Sequence, residues 1–362
     1  MPKEIEIKHD RIRDVLKKEK IDAVLLKQVS NFSWFTGGAK NFVGLNSEIG
    51  ASSMVITQDK IFLLANNIEA PRLLDEEVSG IEPEKIILPW YEDDVLIEEA
   101  KKIAGPKIAA DSPIDGCKHI NLNPLHFPLT QEEIERYKEL GAGAGKIVSD
   151  ACKKISPGMA EIEIAGMVSD AFWRADIIPV VILIAADARI EKYRHPLPTS
   201  KIVKNHVMLV VCARKYGLIA SLTRLVSFGK IPDLLERKHQ AVCKVDSVFI
   251  SESIPGNKLN DVFKKSVESY SENGFENEWK MHHQGGPTGY QARYYRANFK
   301  TEDIVEANQA YAWNPSISGT KSEDTIITTS SNPVIITEDP KWPKKEIAVN
   351  GKIILRPDIL IR

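Results

Sequence analysis

The stretch from Val207 to Gly229 reads V-M-L-V-V-C-A-R-K-Y-G-L-I-A-S-L-T-R-L-V-S-F-G. Two apolar runs, near 206–214 and 218–226, predict a pair of strands, the second carrying Thr223-Arg224. A second stretch, Tyr311 to Thr329, reads Y-A-W-N-P-S-I-S-G-T-K-S-E-D-T-I-I-T-T. Its end, 322–329, is rich in β-branched residues and holds Glu323 and Asp324, so it too reads as a strand with acidic side chains at its start.

Working outward, strands and helices frame these two segments. Thr130 and Glu133 form a capping box, opening a long helix to about Lys154 that Ser156-Pro157-Gly158 breaks. Another helix is expected over 160–175, a strand over 179–185, and two helices over 232–248 and 257–272, with a β-rich end from Gln309 onward. The first 125 residues alternate differently. A helix near 8–20 precedes a buried strand at 21–26, and 53–57 and 61–65 make a hairpin around Gln58-Asp59-Lys60. Strands at 85–88 and 107–110 then alternate with helical patterns at 68–77 and 94–103, which implies a mostly parallel or mixed sheet with helical cover. The proline-bearing segment 121–128 lacks periodicity, and the domain boundary is placed there: an α/β domain over 1–125 and a second domain over 126–362.

Composition excludes several function classes. A chain of 362 residues, 43% hydrophobic and 27% charged, is a two-domain globular profile. Its formal net charge of -2 gives no electrostatic case for nucleic acid or an anionic membrane surface. No apolar run reaches membrane-spanning length, and the first residues, M-P-K-E-I-E-I-K-H-D, lack the apolar stretch of a signal peptide, so a cytoplasmic location is expected. Cys117, Cys152, Cys212 and Cys243 make no C-x-x-C pair and read as free thiols.

The order helix, S-P-G-M-A-E, helix, H-x-x-x-T, then a strand pair ending T-R resembles the catalytic domain of the pita-bread superfamily of aminopeptidase P, prolidase, methionine aminopeptidase and creatinase. Asn31-Phe32-Ser33-Trp34-Phe35-Thr36-Gly37 is similar to the N-x-x-Y-L-T-G segment of the creatinase-type N-terminal domain. His195-Pro196-Leu197-Pro198-Thr199-Ser200-Lys201-Ile202-Val203 most resembles creatinase's H-N-P-V-T-N-R-I-V. The resemblance covers most of the chain and implies an α/β N-terminal domain plus an α+β pita-bread C-terminal domain. It also implies a homodimer, because creatinase-type proteins commonly complete each pocket from the partner.

The metallopeptidases of that superfamily hold two metal ions with two Asp, one His and two Glu. The resemblance puts Val210 and Ser221 at the Asp positions, Gly286 at the His position and Asn314 at the first Glu position. Only the last ligand persists, as Glu323. One carboxylate and a neutral amide do not neutralise two dications, so no metal and no other cofactor is expected, and purification without stoichiometric manganese, cobalt, zinc or iron follows. His195 matches the position that serves creatinase as general acid/base, and an imidazole suits proton transfer near neutral pH. The bland alternative is a loop histidine beside prolines. His282 falls where aminopeptidase P and prolidase carry another His. Because adjacent strand residues point to opposite faces, at most one of His282 and His283 is expected in the pocket.

Arg293 replaces a third family His and would bring a planar fork suited to a carboxylate or phosphate; otherwise it is a surface residue in a Tyr/Arg-rich loop. Arg224 belongs to the superfamily pattern as a structural partner or an anchor, and Thr223 stands where creatinase holds its guanidinium substrate with Glu. Trp313 lines the pocket or belongs to the core. The glycine cluster 285–289 lacks G-K-S/T and is read as a turn, not a phosphate loop. His195, His282, Arg293 and Glu323 are expected to converge with Ser221 and Asn314.

The favoured reading is a metal-independent hydrolase of a small C–N compound or short peptide, with His195 as acid/base, Glu323 and His282 orienting, and Arg293 or Arg224 holding an acidic group. The alternatives are a catalytically silent ligand- or peptide-binding module, as this fold serves in a histone-chaperone subunit, and a residual Xaa-Pro metallopeptidase.

Overall fold

The computed structural model describes residues 2–362, the side chains at 93 and 94 excepted. The chain divides into two compact units, Met1–Glu133 and Ile134–Arg362.

The first unit is built on a six-stranded mixed sheet. Across the sheet the strands run Glu84–Leu88, Ile61–Asn66, Ile49–Ile56, Ala23–Gln28, Ile108–Ala110 and Lys118–His119. The expected hairpin is present: Ile49–Ile56 and Ile61–Asn66 pair antiparallel with Ile56 opposite Ile61. Ala23–Gln28 pairs antiparallel with the hairpin and parallel with Ile108–Ala110. The helix Lys3–Glu19 buries Ile5, Ile12 and Leu16, positions one face of a 3.6-residue period selects. The Asn31–Gly37 segment is not extended; it is the end of a helix, Val29–Thr36, which Gly37 closes at φ 77°.

The division falls at 133/134 rather than at the expected 125/126, and the polar contacts explain why. The Arg11 guanidinium donates to the Leu125 carbonyl and the Pro128 carbonyl, both at 2.8 Å. The buried Lys8 ammonium pairs with Glu133 at 2.9 Å. Residues through 133 are therefore tied to the first unit. The predicted capping box is made: the Thr130 backbone N–H donates to Glu133 Oε2 and the Glu133 N–H to Thr130 Oγ1. It opens the helix Gln131–Cys152.

The second unit holds two four-stranded sheets. One has the order Leu360–Ile361, Leu218–Ser227, His206–Lys215, Ile178–Ala186; the other Gly285–Thr288, Ala310–Trp313, Asp324–Ile327, Val334–Ile335. The decisive strand pair is an antiparallel hairpin turned at Tyr216-Gly217, both at positive φ (55° and 75°). That is the two-residue turn whose twist matches a hairpin, and Gly217 takes its conformation without a Cβ penalty. In its register Val210 faces Thr223 and Cys212 faces Ser221, so these four side chains share one face. The Thr325 hydroxyl clamps this hairpin to the other sheet, accepting from the Ser221 N–H at 2.7 Å and donating to the Ser221 carbonyl at 3.0 Å. The helices Asp233–Glu252 and Leu259–Glu272 pack with Tyr311, Trp313 and Ile326 into a shared core. Among the described residues no helix is long and apolar enough to cross a membrane.

Candidate functional site

Glu323 is buried and three groups converge on its carboxylate. The Lys321 ammonium lies 2.7 Å away, the Arg293 guanidinium 3.2 Å, and the Thr223 hydroxyl donates at 2.7 Å. Lys321 and Glu323 are two residues apart across an extended segment, so both reach the same side. Burial alone would raise the Glu323 pKa; Lys321 and then Arg293 outweigh it and bring it down to about 2. The carboxylate is thus a fixed anion enclosed by two cations. Arg293 also donates to the Ala292 carbonyl at 2.5 Å and to Ser221 Oγ at 3.4 Å.

Three imidazoles form the other half of the site. His195 is exposed on its proline-bearing loop; His282 and His283 are half-buried, just after the 3-10 turn Glu278–Met281. His195 Nε2 and His282 Nε2 stand 3.1 Å apart. The expectation that only one of His282 and His283 faces the pocket is corrected. The pair lies before the strand Gly285–Thr288, outside any ladder, and their rings stack at 4.3 Å instead of splaying to opposite faces. The His195 ring lies 4.9 Å from that of His282 and 6.1 Å from that of His283. Desolvation and the Lys321 ammonium lower the His282 pKa to about 2, and desolvation with Arg293 and Arg296 lowers that of His283 to about 4. Partial desolvation and Lys321 lower His195, against the pull of Glu323. Lys321 thus acts on all three imidazoles, and Glu323 opposes it at His195 and His283.

A histidine whose folded pKa lies below the ordinary 6.5 stays neutral while the unfolded chain takes up its proton. The unfolded state then binds more protons, so stability falls as pH drops below about 6.5, continuing through 4 toward 2. We expect the melting temperature to fall between pH 7 and 4.5 and His283→Asn to flatten that fall. An unchanged slope in thermal unfolding of the variant would refute the assignment.

Of the expected site residues, the structure brings together His195, His282, Arg293, Glu323 and Ser221. Asn314 neighbours the histidine segment through its backbone N–H, which donates to the Gln284 carbonyl at 3.0 Å, and its buried Oδ1 has no hydrogen-bond partner among the described residues. Two expectations fail. Trp313 is a core residue, stacked on Phe249 at 4.5 Å and on Tyr311 at 5.5 Å, its indole N–H donating to Ser253 Oγ. Arg224 serves the framework. It donates to Asp324 Oδ1 and the Thr337 carbonyl, both at 3.0 Å, and lies over the Trp342 ring. Asp324 follows Glu323 directly and so points the other way, taking Arg224 and Arg356 with it. Lys321 was missed; its place two residues before Glu323 in an extended run was the available signal.

The paired-metal set of the superfamily does not fit these residues. Val210 and Ser221 carry no charge. A Cβ at Gly286 would lie 2.5 Å from the Tyr295 carbonyl oxygen, so the backbone has closed where a ligating His would stand. The surviving carboxylate is already neutralised by Lys321 and Arg293.

Comparison with known proteins places this fold. The chain has the fold of an Xaa-Pro dipeptidase from Bacillus anthracis at 17% identity, covering 99% of this chain and 100% of that one with a TM-score of 0.79. It matches the prolidase from Pyrococcus horikoshii OT3 at 18% identity, with 91% and 98% covered and a TM-score of 0.77. It also matches the N-terminal domain of the FACT complex subunit SPT16 from Cicer arietinum at 12% identity, with 92% and 96% covered and a TM-score of 0.68. No curated protein sequence matches the chain. The two-domain architecture is thus the pita-bread one, with an α/β N-terminal unit. The model of metallopeptidase family M24 matches residues 135–337, more than half of the chain, and the chain belongs to that family.

Proposed function

We propose that this M24 chain hydrolyses a C–N bond in a short peptide or small amide-like substrate without the paired metal ions, using His195 as acid/base. One observation carries the reading: Lys321 and Arg293 bracket Glu323 where metal cations would otherwise be expected, beside a neutral histidine pair.

Proton positions follow from the contacts. His282 Nδ1 lies 2.5 Å from the His283 carbonyl oxygen and must donate to it, since that oxygen only accepts. The neutral His282 ring then has its lone pair on Nε2, and His195 Nε2–H donates to it. That leaves Nδ1 of the exposed His195 ring as the proton acceptor. It takes a proton from water as the water attacks the carbonyl carbon, and returns it to the leaving nitrogen. Arg293, held by Glu323, offers positive charge to an acidic substrate group or to the oxyanion. Arg224, expected as a possible anchor, has no part in this.

The similarity to the FACT subunit and the loss of ligand carboxylates favour a second reading, a binding module without turnover. The test treats untagged protein with chelator and assays Xaa-Pro dipeptides and N-acyl amino acids, with and without manganese. We expect hydrolysis that does not require manganese and that chelator does not abolish. In the metallopeptidase mechanism the ion brings the pKa of bound water to about 7; cleavage that appears only with manganese and vanishes with chelator would sink the proposal. Saturable dipeptide binding without turnover would support the second reading.

A further inference from the structure

We propose that His195, His282 and His283 form a site for a single borderline transition-metal dication of the zinc, copper or nickel class, with an anion as its remaining ligand. It is separate from the five positions of the paired-metal set, none of which is among these three residues. The binding claim stands without the proposed hydrolysis; only its effect on turnover rests on that reading.

The geometry comes first. Each histidine offers one ring nitrogen such that the three atoms lie within 4.8 Å of one another. His195 Nε2 and His282 Nε2 are 3.1 Å apart. Two imidazole nitrogens on a tetrahedral zinc ion, at about 2.0–2.1 Å each, stand roughly 3.3 Å from one another. That pair already has the spacing of neighbouring ligands.

Orientation points the same way. The bond from His282 Nδ1–H to the His283 carbonyl is the outer hydrogen bond that fixes a ligating imidazole, directing its Nε2 lone pair inward. Among the described residues His283 Nδ1 is buried with no hydrogen-bond partner, a cost that coordination would remove. The adjacent rings stack instead of diverging, so one short segment supplies two ligands and the 195 loop the third.

The ligand chemistry selects the ion. Three imidazoles suit zinc, copper, nickel and cobalt, whereas manganese, magnesium and calcium need oxygen donors. The surrounding charge selects the rest. Lys321, Arg293 and Arg296 act electrostatically on these rings, with Glu323 the opposing anion. A bare dication is disfavoured beside three cations; one carrying a bound hydroxide, chloride or carboxylate is favoured there. A metal on His195 Nε2 displaces the proton from that nitrogen to Nδ1, so the loaded site loses its proton acceptor and hydrolysis falls.

The experiment uses the untagged full chain after chelator treatment. Cobalt is titrated and followed by its visible d–d absorption, zinc by equilibrium dialysis and elemental analysis, each in acetate and in perchlorate, a non-coordinating anion. We expect one ion per chain and tighter binding in acetate than in a non-coordinating anion. We expect His283→Asn and His195→Asn each to weaken binding by more than the roughly 10–100-fold that loss of an outer-sphere partner costs. His195 is exposed, so its variant stays folded, which circular dichroism checks. No stoichiometric binding by the wild type, or binding that survives both substitutions, overturns the site; anion-independent affinity overturns the fourth ligand. Because binding is read without substrate, failure of the hydrolase reading leaves this result interpretable, and the converse also holds.

Discussion

Glu323→Gln lowers the free energy of unfolding by about 3–5 kcal/mol, the cost of removing one partner from a buried ionic cluster. Glu323 is 2% exposed and Lys321 5%, so water does not replace what the substitution removes. The carboxylate balances Lys321 at 2.7 Å and Arg293 at 3.2 Å. Without it, two cations face each other in a poorly solvated space. Adding Lys321→Met recovers part of the loss, because one uncompensated charge goes with it. Urea unfolding of the wild type, the single variants and the double variant closes the cycle. A Glu323→Gln protein as stable as wild type, or a Lys321→Met that fails to relieve it, would show that the cluster is not the electrostatic unit described here.

Much of this was legible in the sequence, and the misses have physical causes. The two apolar runs made the strand pair visible because periodicity is local. The capping box at Thr130 and Glu133 was equally local, and it is made as read. The site was harder because it joins residues far apart in the chain. Superfamily spacing picked out His195, His282, Arg293 and Glu323, which the fold brings near one another. It failed where the local conformation departs from a strand. Adjacent histidines were assigned opposite faces, a rule that holds in a ladder, and residues 282–284 are not in one. Trp313 and Arg224 were misplaced for a related reason. A motif fixes backbone position, while burial among Phe249 and Tyr311, or pairing with Asp324, decides what the side chain does. Lys321 was overlooked because the matched stretch, S-E-D-T, begins one residue after it, though its separation of two residues from Glu323 put it on the same side.

His195→Gln lowers kcat by about 10²–10⁴-fold, the usual contribution of a positioned acid/base, while KM changes little. The split follows from the geometry. Arg293 and Lys321 stay anchored on Glu323, so charge recognition of the substrate survives. The amide side chain can still meet His282 Nε2 but cannot accept and return a proton. His195 is exposed, so the variant keeps the wild-type melting temperature at pH 7.5 within a degree or so, and a loss of rate is not a loss of fold. The pH profile gives the sharper signature. Partial desolvation and Lys321 hold the His195 pKa below its ordinary value, so the acid limb of kcat/KM falls below about 6.5. In His195→Gln that limb disappears from whatever activity is left. A variant with wild-type kcat, or one that retains the same acid limb, would place the proton transfer on another group and return His195 to the role of a loop histidine.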